Sequence, residues 1–274
     1  MNVKLERLKD HFDRVIELRN ASYVNGWYNP AKLDELYEEV QKIEPSPAYF
    51  AHLDAAVDGF VAELLASPEF HDMHDRWSSL DTDTEQRAYL EKCVGRLAWH
   101  QAQIGVPTTI GNIKFYYCDD PDYASDAYVA FDNNVTARVH DDIAFNEARP
   151  RWTKDLAWAL KTLVHEQTHL FNLSLNTQHH LGKIDRDHPL YGEAVYFNQH
   201  FTRNARIDFT YGRYAHSQRN PYLNQLDERA AFHCDDRLQH LLESAFEDTD
   251  YEYGEPTYQT AGSAAPAQRH LRPH

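Results

Sequence analysis

Apolar residues recur at spacings of three and four through most of the first hundred positions of the chain. The runs ERLKDHFDRVIEL, AKLDELYEEVQKI, YFAHLDAAVDGFVAELLA and TEQRAYLEKCVGRLAWHQAQ each gather their aliphatic and aromatic residues on one stripe. They predict amphipathic helices up to about residue 104. After GVPTTIGN the period falls to two. IKFYYC, AYVAF, VTARV and DIAFN are short β-branched or aromatic runs broken by DDPDYASD, DNN and HDD, which predicts a small, largely antiparallel meander. Helical spacing returns in RPRWTKDLAWALKTLVHEQTHLFNLSL, a long helix with Pro150 or Thr153 near its start and Asp155 in its first turn, complementing the helix dipole. A histidine-rich polar loop follows, then a helix around YGEAVYFNQHF, an irregular stretch ending at RNPYLNQ, and a last helix LDERAAFHCDDRLQHLLESAF. From residue 248 onward periodicity is lost, as in a flexible tail.

The pattern describes an α+β protein that is mainly helical. A helical N-terminal region over 1–104 packs on a domain over 105–247 that carries the small sheet, and residues 248–274 form the tail. Composition narrows the partners. A net charge of −16 opposes a phosphate backbone or an anionic membrane surface but tolerates metal ions and cationic partners. The opening MNVKLERLKDHFDRV lacks the apolar stretch of a signal peptide, and no run reaches transmembrane length, so the expected compartment is the cytoplasm of the producing cell. Cys93, Cys118 and Cys234 are odd in number and without metal-type pairing, and they read as reduced and structural.

Within the long helix stands LVHEQTHLF, residues 163–171. On a helix, positions i and i+4 share a face one turn apart, so the imidazoles of His165 and His169 can reach one zinc ion. Glu166 is turned aside, free to act as a base on water at that ion. A chain with 17 histidines can produce such a string by accident. Its setting in a helix that is apolar on both sides of the motif, directly after the strand IAFN, favours the metal reading. A third ligand must come from elsewhere, because catalytic zinc commonly takes three protein ligands and keeps one position open. His179, His180, His188, His200, His216, His233 and His240 crowd the rest of the chain and are expected mostly at the surface or behind the ligands.

The string and its strand-before-helix context resemble the zincin metallopeptidases over about Ile113 to Leu242. The metzincin continuation is absent, since Asn172 and Leu175 stand where its glycine and third histidine belong. YLNQLDERAAF, Tyr222 to Phe232, resembles the tyrosine–glutamate segment of a group of bacterial effector-like metallopeptidases, and DHPLYGEAVYFNQHF resembles the spacer helix of that group. The resemblance implies a gluzincin-like site in which Glu228 is the third ligand and Tyr222 lies near the metal. Glu193, at a thermolysin-like separation from His169, and Asp185 or Asp187, in a stretch faintly similar to the aspzincins, are the competing carboxylates. What the resemblance implies is a zinc metallopeptidase with Glu166 as base and an extended peptide laid along VTARVHDDIAFN. Its substrates would be proteins or peptides, cell-wall peptides included, and its delivery out of the cell would need no signal peptide. Two other classes fit the same residues: a zinc-containing binding protein without turnover, and an interaction protein whose histidines are incidental.

Overall fold

A computed structural model of the chain describes residues 5–120, 125–131, 141–207 and 219–246. The N-terminal region is helical as expected: α1 (Leu8–Ser22), α2 (Pro30–Val40), α3 (Pro47–Leu65), α4 (Pro68–Arg76) and α5 (Arg87–Gln101). Three of these helices open on proline, whose fixed φ and missing N–H suit a first turn. Ahead of them, Asn29 accepts from the N–H groups of Ala31 and Lys32, and Ser46 accepts from that of Tyr49. Between α1 and α2 a short hairpin, β1 (Tyr23–Val24) and β2 (Trp27–Tyr28), turns on Asn25 and Gly26, both at positive φ.

The sheet after α5 contains β3 (Asn112–Tyr116), β4 (Ala127–Phe131) and β5 (Asp141–Asn146) in the order β3-β5-β4. Antiparallel pairing holds for β4 and β5, with Val129 opposite Ile143. β3 instead joins β5 in parallel, Ile113 opposite Ile143, so the described strands form a mixed sheet and not a meander. The cause is visible in β5 itself. Ile143, Ala144, Phe145 and Asn146 are all buried, and an apolar run without alternation belongs in a central strand covered on both faces. The VTARV run lies outside the described residues.

A single turn, α6 (Arg151–Lys154), precedes α7 (Leu156–His180), and Asp155 between them is the N-cap of α7, accepting from the Trp158 N–H at 3.1 Å. It is therefore not a first-turn residue of one continuous helix. α7 also runs one turn past Leu175 into the stretch read as a polar loop. Then come α8 (Tyr191–Thr202) and α9 (Leu226–Phe246). α7 is central: it packs against α5, α8, α9 and the sheet, and Leu160, Leu163, Val164, Leu170 and Phe171 on it are wholly buried. Each such side chain contributes about 1.5–3 kcal/mol when taken from water. The fully buried Gln167 ties the sheet to this helix. It accepts from the Gly111 N–H at 3.2 Å and donates to the Thr109 carbonyl at 2.8 Å, anchoring the approach to β3 beside the motif. Among the described residues no helix is long and apolar enough to cross a membrane.

Candidate metal centre

His165 and His169 lie one turn apart on α7 with ring centroids 5.0 Å apart. Glu228 comes from the first turn of α9, which packs along α7, and its carboxylate is completely buried. Its Oε2 stands 3.6 Å from His165 Nε2 and its Oε1 stands 3.8 Å from His169 Nε2. The three groups each offer one ligand atom, all within 4.8 Å of one another, and this group can hold a metal ion. The fit is supported by two features. A donor set of two imidazoles and a carboxylate leaves one tetrahedral position open. Both oxygens of Glu228 are also buried without a hydrogen bond of ordinary length, so their charge is met either by the protonated His165 imidazole at 3.6 Å or by a metal ion held between the three groups.

Electrostatics prepares each ligand differently. Burial lowers the His169 pKa to about 4, His165 and Arg206 adding to the effect against Glu228, so its imidazole is neutral and its lone pair available. Burial would raise Glu228, but its interactions with the two facing imidazoles, His169 and His165, outweigh burial and hold its pKa below the ordinary carboxylate value. At His165 burial is again the largest influence and acts downward. Asp235, Glu228 and Glu166 together overcome it and lift the pKa well above the ordinary value, so a proton and a metal ion compete for Nε2. Asp235 lies two turns beyond Glu228 on α9, and its Oδ2 is 3.0 Å from His165 Nδ1. With the Nδ1 proton donated to Asp235, the Nε2 lone pair faces Glu228, the arrangement by which carboxylates fix the tautomer of metal-binding histidines.

Glu166 is buried beside this group, and its pKa is pushed up to about 7, chiefly by burial, with Glu228 and Asp235 adding and His165 and Arg206 opposing. Tyr222 is close enough that, after burial, the Glu228 charge is the main reason its hydroxyl stays protonated well above the ordinary range. The structure thus brings together His165, Glu166, His169, Tyr222 and Glu228. It leaves the competing carboxylates elsewhere. Glu193 is buried but accepts from the Ser46 N–H at 2.8 Å at the start of α3, and Asp185 and Asp187 are exposed in the loop after α7.

Most of the other described histidines have separate partners. His188 contacts the Ile104 carbonyl at 3.1 Å, His233 pairs with Asp54 at 2.7 Å, and His200 lies 3.6 Å from Asp227. His216 lies outside the described residues. Sequence reasoning missed Asp235, Arg206 and the buried His200–Asp227 pair. Asp235 left a signal, since it falls on the stripe of α9 that carries Glu228; Arg206 sits in a stretch without periodicity and left none. No family model, curated protein or solved structure matches the chain.

Proposed function

We propose that the chain is a zinc-dependent hydrolase of amide bonds, a metallopeptidase with a zincin-like, gluzincin-type centre held by His165, His169 and Glu228. The observation that carries this reading is the convergence of two imidazoles on a buried carboxylate without hydrogen bonds, next to a second buried carboxylate. When bound, zinc supplies a Lewis acid that polarises the scissile carbonyl and brings the pKa of water from 15.7 towards about 7. Glu166 accepts the proton of the attacking water and passes it to the leaving nitrogen. Burial raises the pKa of Glu166 in the metal-free chain, which favours its accepting a proton. Asp235 holds the His165 ring in its ligand orientation. Tyr222, protonated, is a donor for the oxyanion that develops on the carbonyl. Proteins and peptides, the peptide stems of a cell wall among them, are the substrate class.

The test separates metal from chemistry. Purified protein should carry one zinc per chain, lost when both histidines become alanine. Glu166→Gln should fold and keep zinc while cleavage, read as new termini by mass spectrometry, slows by about 10²–10⁴-fold. Identical fragment patterns from wild type and Glu166→Gln would leave a zinc-containing binding protein in place of an enzyme.

A further inference from the structure

His200 and Asp227 form a buried pair that the hydrolytic step does not use. Asp227 directly precedes Glu228 in the first turn of α9, and His200 lies on the last turn of α8. Both are 1% exposed, and His200 Nε2 stands 3.6 Å from Asp227 Oδ2. Among the described residues neither that nitrogen nor Asp227 Oδ1 has a hydrogen bond. Each group therefore holds the other in place, since separating them would strand two polar side chains in the interior. The His200 ring is fixed from its other side, stacked on Tyr196 with centroids 5.8 Å apart at 13°, and Phe12 of α1 lies 6.2 Å away.

α8 packs along α7, the helix of His165 and His169. Consecutive helical residues point about 100° apart, so Asp227 meets a side chain of α8 while Glu228 faces α7. His200 thus ties the turn that presents Glu228 to a helix set against the other two candidate ligands. The tie controls rotation. Turning α9 by about 10° about its axis moves a carboxylate about 6 Å from that axis by about 1 Å, whereas ligand distances in a metal site vary by only about 0.2 Å. Two further contacts dock this end of α9. Gln225 accepts from the Ile207 N–H at 2.7 Å and donates to its carbonyl at 2.9 Å, and the long Arg229 side chain donates to the Ile43 carbonyl. Both remain when His200 is changed, so α9 stays docked and only its fine setting is released.

We propose that His200 is a positioning residue of the metal centre: through Asp227 it sets the rotation of the first turn of α9, and with it the reach of Glu228 towards His165 and His169. This rests on the metal site of the hydrolase reading above. The test reads metal in the full-length protein, not turnover. Zinc affinity is measured by competition with a chelator, and the arrangement of the donors by the visible absorption of the cobalt(II)-loaded protein. His200→Phe keeps a ring to stack on Tyr196 but removes the nitrogen, and it should bind zinc about ten-fold or more weakly with an altered cobalt spectrum. His200→Gln returns an amide N–H near the place of Nε2 and should recover most of the affinity and the wild-type spectrum. If His200→Phe does not fold, Asp227→Leu removes the same contact without stranding a carboxylate and carries the same expectation. A folded loss variant with wild-type zinc affinity and cobalt spectrum overturns the proposal, and so does a loss in His200→Gln as large as in His200→Phe. Failure of both loss variants to fold overturns it as well, since the pair would then serve stability alone. If the unaltered protein binds neither zinc nor cobalt, the reading of the metal centre itself falls instead.

Discussion

At the scale of single residues, Glu228 and Glu193 pose the sharpest contrast, because both are buried carboxylates and only one accepts a hydrogen bond from the backbone at Ser46. Glu228→Ala should lower zinc affinity at least about ten-fold. Glu193→Ala should leave zinc affinity unchanged yet cost about 1–3 kcal/mol, since the Ser46 N–H loses its acceptor. A competition titration with a chelator and a urea melt read the two effects separately; weaker zinc binding in Glu193→Ala would make it the ligand. Asp235→Asn should weaken zinc by about 10–100-fold without emptying the site, because the amide still accepts from Nδ1 but no longer carries charge. The histidine pair and Glu166 were legible in the sequence because helical spacing alone decides that i and i+4 share a face. Glu228 was legible only through resemblance, since no local rule ties the first turn of α9 to the middle of α7. Arg206 was not legible, because backbone contacts with Arg19 and Gln225, remote in sequence, place it.

At the scale of elements, α9 and β4 have the bounds that periodicity indicates, Leu226–Phe246 and Ala127–Phe131. The strand order does not follow from the pattern, since parallel pairing of β3 with β5 is a tertiary choice that alternation does not encode. The buried run Ile143–Phe145 was the one local clue to a central strand. How closely the sheet is set against α7 appears at Gly111, just before β3. A Cβ there would lie 2.6 Å from Ile143 Cδ1 and 2.9 Å from Leu170 Cδ1, and both of those side chains are wholly buried. Leu170 directly follows His169, so any displacement is felt at the ligand helix. Gly111→Ala should therefore destabilise by about 1–3 kcal/mol in urea with an unchanged slope, and should weaken zinc binding less than Asp235→Asn does. A variant as stable as wild type would mean that the two side chains repack freely.

At the scale of the whole molecule, the helical N-terminal region and the half that carries the candidate metal centre are interlocked. α3 packs along α9, where Arg237 donates to both oxygens of Asp58 at 2.7 Å and His233 meets Asp54 at 2.7 Å. From α3, Tyr49 also reaches across to Asn172 on α7, a bond of 2.5 Å between wholly buried groups. α5 covers another side of α7, with Gln101 bonded to Gln167, and α1 holds the segment bearing Arg206. Two of the three candidate ligands sit on α7 and the third on α9, so elements of the first hundred residues brace the backs of both helices that carry them. Half-exposed pairs such as Arg237–Asp58 contribute about 1 kcal/mol each, whereas the apolar faces of α3 and α5 carry most of the attachment. Residues 105–246 expressed without the preceding helices would expose those faces on α7 and α9. That fragment should lack a cooperative thermal transition and bind zinc far more weakly than the full chain. In the full chain, zinc at 100 times its Kd should add about 2.7 kcal/mol of stability that a chelator removes. Differential scanning calorimetry of both proteins, with and without chelator, decides the matter. A fragment that melts cooperatively and responds to chelator as the full chain does would make the N-terminal helices an appendage to a self-sufficient metal domain.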